Sequence, residues 1–239
     1  MRYILILAAT LLCHTATAHS SSTATCPTQA NSQAYQATYQ VQRSDGGEHQ
    51  LILTRFNDTI RYQSHDSVFE QWNLQGEFSR YFANHMRSVT YTRGDLKSLH
   101  RVPNIAQKFH LIAPDMLAQF SKGSEHNQGC FTVTDYHSTE PQEVKLQWIA
   151  QLQLPYSLNY QNAAHQVRFT LANVTPITAA DFNAVATGYR DIDFADIGDN
   201  ESDPFIAKMI NQGFIEHGSS GFYRSNGQSL GGSSHHHSH

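Results

Sequence analysis

From residue 35 onward, apolar and polar residues alternate with a period of two. In "AYQATYQVQR", Tyr35, Ala37, Tyr39 and Val41 alternate with Gln36, Thr38, Gln40 and Gln42. Such a pattern predicts a strand with one covered and one wet face. "SDGGE" supplies turn residues, "HQLILTRF" reads as a second strand, and "ND" turns into a third, "TIRYQS". In residues 67–93, Phe78, Tyr81, Phe82 and Met86 also fit helical spacing. The wealth of aromatic and β-branched residues, with Gly76 as hairpin punctuation, favours strands there. "EVKLQWIAQL" then puts Val144, Leu146, Trp148, Ala150 and Leu152 on one face, and "HQVRFTLANV" alternates through Val167, Phe169 and Leu171. One-sided strands joined by short turns predict an antiparallel meander.

Between these strand runs, Pro114 opens a short helix edged by Met116, Leu117 and Phe120, and Gly123 can end it. One or two short helices are expected in residues 93–123. After Pro176, "TAAD" resembles a capping box for a helix from about Ala179 to Ala186. Asp203 and Pro204 start another helix that Gly213 ends. The fold class expected is mainly β (α+β): a strongly curved antiparallel sheet or open half-barrel, with short helices on one face and a C-terminal helical extension. About seven to nine strands are expected, covered on one face by helices near 113–121 and 178–186.

The first eighteen residues, "MRYILILAATLLCHTATA", change the setting. Arg2, the apolar run Ile4 to Cys13, and Ala16 and Ala18 match a secretory signal peptide too short to span a bilayer. The expected organisation is a signal peptide (1–18), an N-terminal arm (19–33), an antiparallel β domain (34–175), an acidic helical extension (176–217) and a Gly/Ser/His-rich tail (218–239). The mature chain is expected to be exported to the periplasm or beyond, soluble, with no transmembrane segment. Once Cys13 leaves with the signal, Cys26 and Cys130 form an even pair in an oxidising compartment. They are expected to form a disulfide. Two free thiols are the alternative.

The net charge is −4, and lysines and arginines are scattered without a basic stripe, so nucleic acid is not an expected partner. Six acids fall between Asp191 and Asp203: Asp191, Asp193, Asp196, Asp199, Glu201 and Asp203. Calcium is one reading of these oxygen ligands. However, Ala195 and Ile197 fall where an EF-hand loop needs ligands, and a solvated acidic face fits better. No nucleophile elbow, zinc-protease, P-loop or dinucleotide motif occurs. An enzyme is therefore less expected than a binding protein.

Two candidate sites remain. Tyr35, Tyr39, Tyr62, Trp72, Tyr91 and Trp148 would line a curved sheet if they shared a face. Such a lining holds a lipid or other apolar ligand, or a protein partner of the envelope. A fully packed core is the alternative. The second site is a metal site. Cleavage would expose His19 as an N-terminal amine and imidazole, and His235, His236, His237 and His239 crowd the last five positions. Copper, zinc and nickel suit such ligands. The serines before the cluster fit an engineered tag as well as a natural tail.

The meander, the central helices and "VKLQWIAQLQLPYSLNY" before a last long strand resemble periplasmic lipoprotein carriers of the LolA and LolB type. The resemblance covers about residues 34–175. It implies an unclosed barrel whose concave face is plugged by helices and takes acyl chains. Arg55, Arg61, Arg80 and Arg93 are available to grip a ligand, but none matches a motif residue by residue. The carriers' N-terminal helix is not evident, and residues after Pro176 have no counterpart. The leading expectation is a non-enzymatic envelope protein binding a hydrophobic ligand or partner on the concave face. A periplasmic metal-binding protein and an exported hydrolase are the alternatives.

Overall fold

The computed structural model describes residues 33–65, 67–140, 142–161 and 166–215. The expected signal peptide, Cys26, His19 and the histidine tail lie outside these residues. Among the described helices, none is long and apolar enough to cross a membrane.

A single curved, unclosed sheet of twelve strands dominates. Six strands run in sequence as a meander: β1 (Ala34–Arg43), β2 (Glu48–Phe56), β3 (Thr59–His65), β4 (Val68–Asn73), β5 (Phe78–Phe82) and β6 (Arg87–Tyr91). Residues 68–91 are thus mainly strands, as their composition predicts, interrupted by a 3-10 turn at Ala83–His85, and Gly76 turns β4 into β5 at φ +87°. Three short helices follow: α1 (Arg93–Ser98), α2 (Ile105–His110) and α3 (Pro114–Leu117). A second meander comprises β7 (Ser121–Gln128), β8 (Phe131–Ser138), β9 (Glu143–Ile149), β10 (Leu154–Gln161) and β11 (Gln166–Pro176). β11 pairs with β1 and joins the two meanders.

Last come α4 (Ala179–Ala186), β12 (Arg190–Asp193) and α5 (Pro204–Asn211). The helix starts are those the sequence encodes. In α4 the Asp181 amide donates to Thr178 Oγ1 (3.2 Å), and Asp181 Oδ2 accepts from the Thr178 amide (2.9 Å). In α5 Asp203 accepts from the Phe205 amide (2.8 Å) ahead of Pro204.

Four features depart from expectation. Residues 93–123 hold three short helices where one or two were expected, and Gly123 lies within β7 and ends none of them. The sheet has more strands than the seven to nine expected. One of the extra strands is β7, "SKGSEHNQ", which has no apolar residue to betray it. It is an edge strand, almost wholly exposed, held by backbone pairing to β8 alone. Another is β12, drawn from the acidic stretch, which lies parallel to β6; every other neighbouring pair among the described strands is antiparallel. Finally, α4 does not share a face with α3. Phe182 of α4 stacks on Phe56 at 5.6 Å, on the opposite side from Leu53 and Arg55.

The two sides of the sheet can be named by what they bury. The inner face carries Tyr35, Ala37, Tyr39, Leu53, Ile60, Trp72, Phe78, Val89 and Tyr91, the bulk of the main core. It is covered by Leu96 and Leu99 of and after α1, Phe109 of α2, and Phe205, Ile206 and Met209 of α5. A second cluster sits under α3, where Met116, Leu117 and Phe120 pack on Ile112, Val144, Leu146, Trp148 and Leu158. Leu146 and Trp148 are buried while Lys145 is exposed, as the period of two in β9 requires.

Candidate functional site

Strand register puts six inner-face residues in one row across β1 to β6: Tyr35, Arg55, Ile60, Trp72, Phe78 and Tyr91. The next row reads Ala37, Leu53, Tyr62, Glu70, Arg80 and Val89. By register all six expected aromatic residues lie on this side of the sheet, Tyr35, Tyr39, Tyr62, Trp72 and Tyr91 on β1–β6 and Trp148 farther off on β9. Tyr35, Tyr39, Trp72 and Tyr91 are buried under the covering helices, and Tyr62 is half-buried. Trp148 belongs to the second cluster and does not join them. The aromatic floor is thus packed beneath α1, α2 and α5.

Set into that floor are charged groups. Arg80 is 2% exposed, pairs with Glu70 at 2.7 Å and donates to the Phe214 carbonyl at 3.2 Å. Arg55 lies over the Phe109 ring at 5.2 Å. Lys108 of α2 points its ammonium at the Trp72 ring (4.8 Å) and the Tyr62 ring (5.8 Å). The Tyr62 hydroxyl donates to the Lys108 carbonyl and so ties α2 to β3. Burial pushes Tyr35 and Tyr91 up to about 12, with Arg55 and Arg80 respectively pulling the other way. Burial likewise lowers Lys108, which the Glu70 carboxylate partly offsets. All these phenols stay protonated near neutral pH, and the floor offers hydroxyls and cations.

Glu70, Arg80 and Lys108 were not read from the sequence as a group, although a signal existed. Arg55, Glu70 and Arg80 each occupy the apolar phase of their strand's alternation, where a charge has no solvent to face. Of the four arginines considered, Arg55 and Arg80 lie on this inner face. Arg61 lies on the outer face, donating to Gln71 (3.0 Å) and to the Phe182 carbonyl (3.2 Å). Arg93 is exposed at the start of α1.

At least three of the six acids in the acidic stretch are engaged in structure. Asp191 accepts from Ser88 (2.6 Å) and Thr90 (3.0 Å), Asp193 caps a 3-10 turn, and Asp203 pairs with Arg87 at 2.9 Å. Among the described residues no three His, Cys, Asp or Glu side chains cluster to hold a metal. The metal candidates His19, His235, His236, His237 and His239 lie outside those residues. A His–Asp pair does occur, His126 at 3.5 Å from Asp135. Its serine neighbours bond elsewhere: Ser124 donates to Asp135 and Ser157 to Gln147. That arrangement offers no activated nucleophile.

No family model and no curated protein matches the chain. Among solved structures, PNGF-II aligns over 67% of this chain and 31% of its own, at 13% identity and a TM-score of 0.42. The Pseudomonas aeruginosa MucA/MucB complex aligns over 62% of this chain and 54% of the other, at 15% identity and 0.37. An outer membrane lipoprotein-sorting domain from Vibrio parahaemolyticus aligns over 66% and 92%, at 8% identity and 0.31. This chain therefore spans about a third of PNGF-II and about half of the MucB structure. What the inner face can do follows from its own side chains.

Proposed function

We propose that this chain is an exported, non-enzymatic binding protein that takes a hydrophobic ligand between the inner face of its sheet and the short helices above it. The observation that carries this reading is the way α2 is held. A helix of six residues does not persist on its own. It rests on Phe109 in the core with Ile105 and Leu111 packed beside it, on the Tyr62–Lys108 hydrogen bond, on His110 Nδ1 at 3.0 Å from the Gln153 carbonyl, and on the buried Ile112 and Ala113 that follow it. Displacement of α2 from these contacts would uncover Tyr62 and Trp72, on which Lys108 rests, and Arg55, on which Phe109 rests, with no strand of the sheet disturbed. An apolar chain inserted there replaces the contacts that Phe109 makes. The leader-like residues 1–18 support export.

The test is titration of the purified protein with a pyrene-labelled long-chain alcohol, read by quenching of Trp72 emission in a Trp148→Phe background. Saturable one-to-one quenching is expected, with the same lipid-like mass seen by native mass spectrometry on the protein isolated from its own compartment. No saturable binding and no co-purifying ligand would sink the reading. A protein partner docking on the same face is a second outcome, and it would appear as an envelope protein cross-linked through residues of α2.

A further inference from the structure

The inner face holds more positive charge than it can use, and that points to the chemistry of what it binds. Arg55, Arg80 and Lys108 face one carboxylate, Glu70. Glu70 is taken by Arg80 at 2.7 Å. Among the described residues no carboxylate lies within 4 Å of Arg55 or Lys108. Arg55 is 9% exposed, and its Nε reaches only the Asn57 carbonyl at 3.5 Å. Its Nη1 is out of solvent and, like the Tyr35 hydroxyl facing it across the β1–β2 pair, makes no hydrogen bond of full geometry; the guanidinium and the phenol lie near enough for Arg55 to pull the Tyr35 pKa down, and neither has an anion to bind. The Lys108 ammonium has aromatic faces for neighbours.

A guanidinium and an ammonium withdrawn from water lose hydration that two aromatic faces return only in part. An apolar ligand would deepen that loss. An anionic group would reverse it, because a carboxylate or phosphate can accept from Arg55 Nη1 and the Tyr35 hydroxyl at once. Its charge would also offset Lys108. The row that carries these donors is continuous with Ile60, Trp72 and Phe78, so one end of a ligand can meet charge while its chain lies on rings.

Resting on the binding reading above, we propose that the ligand is an amphiphile with an anionic head, a carboxylate or a phosphate monoester, and that Arg55 with Tyr35 and Lys108 receives that head.

The experiment compares dodecanol, dodecanoate and dodecyl phosphate on the full chain, by calorimetry at low salt. At least one anion is expected to bind about tenfold or more tighter than the alcohol, and the better of the two identifies the source of the head. In Arg55→Met, and separately in Lys108→Met, the ratio of anion to alcohol affinity is expected to fall toward one. Arg55→Met removes a buried charge that has no carboxylate partner, so its unliganded melting temperature is expected to equal or exceed that of the wild type. A lower ratio therefore cannot come from unfolding. Equal affinities for all three compounds, or an unchanged ratio in both variants, would overturn the inference and leave apolar binding intact. If none of the three binds, the binding reading falls with it.

Discussion

Arg80 Nη2 and Glu70 Oε1 meet at 2.7 Å across the β4–β5 pair, on the covered side of the sheet. Removing one partner of a buried pair leaves the other charge without compensation, whereas removing both does not. Glu70→Gln should therefore destabilise the fold by about 3 kcal/mol. The double replacement by leucine should recover most of that loss. Urea titration of the three proteins checks it, and a Glu70→Gln loss below about 0.5 kcal/mol would show the pair to be solvent-screened.

Trp148 fills the second cluster beneath α3, against Ile112, Leu146 and Leu158. Trp148→Ala should cost about 3–5 kcal/mol by loss of buried area and the space left behind. Because this cluster is separate from the aromatic floor, the variant should keep its affinity for a long-chain alcohol at temperatures where it is folded. Denaturant titration and ligand calorimetry on the same sample read the two effects apart.

Mild acid should loosen the protein through α2. Burial holds the His110 imidazole below its usual value of about 6.5; the Gln153 carbonyl opposes this, and the nearby Arg55 adds to it. The unfolded chain therefore binds more protons than the folded one just below pH 6.5. Stability is full above that pH and falls as pH drops toward the depressed folded value. Asp203 and Asp181 are held low by hydrogen bonds from Arg87 and Thr178 respectively, so their contributions are lost only below about pH 4. Melting temperature should decline from pH 7 to pH 5, and His110→Gln should flatten that slope. An identical slope in the variant would remove His110 from the account.

The termini carry two proposals. Copper, zinc and nickel should bind His19 and the His235–His239 cluster, with affinity falling as pH drops through the imidazole range. Titration of the mature chain, a chain ending at Gly232 and a chain starting after His19 locates the sites. Unchanged stoichiometry in both truncations would exclude them. A peptide map without reductant should also show Cys26 linked to Cys130, which sits in the turn between β7 and β8. Two peptides carrying free thiols would refute that link.

Local chemistry determined much of this protein. The alternation in β1 and β9, the turn at Gly76, and the caps at Thr178 and Asp203 depend on neighbours a few residues away, and each is legible in a line of sequence. The tertiary structure alone decided what depends on distant pairing. β7 has no apolar face, and only the free edge of β8 makes it a strand. β12 is four residues of an acidic run that becomes sheet because Ser88 and Thr90 of β6 present hydroxyls to Asp191. The inner face shows the same division. Its aromatic residues follow from the period of two. That Arg55, Glu70 and Arg80 would fall into two adjacent rows, and that α2 would set Lys108 among them, depends on the register of five strands and on a helix arriving from outside the meander. A period of two says which face a side chain takes, but not which charges it will find there.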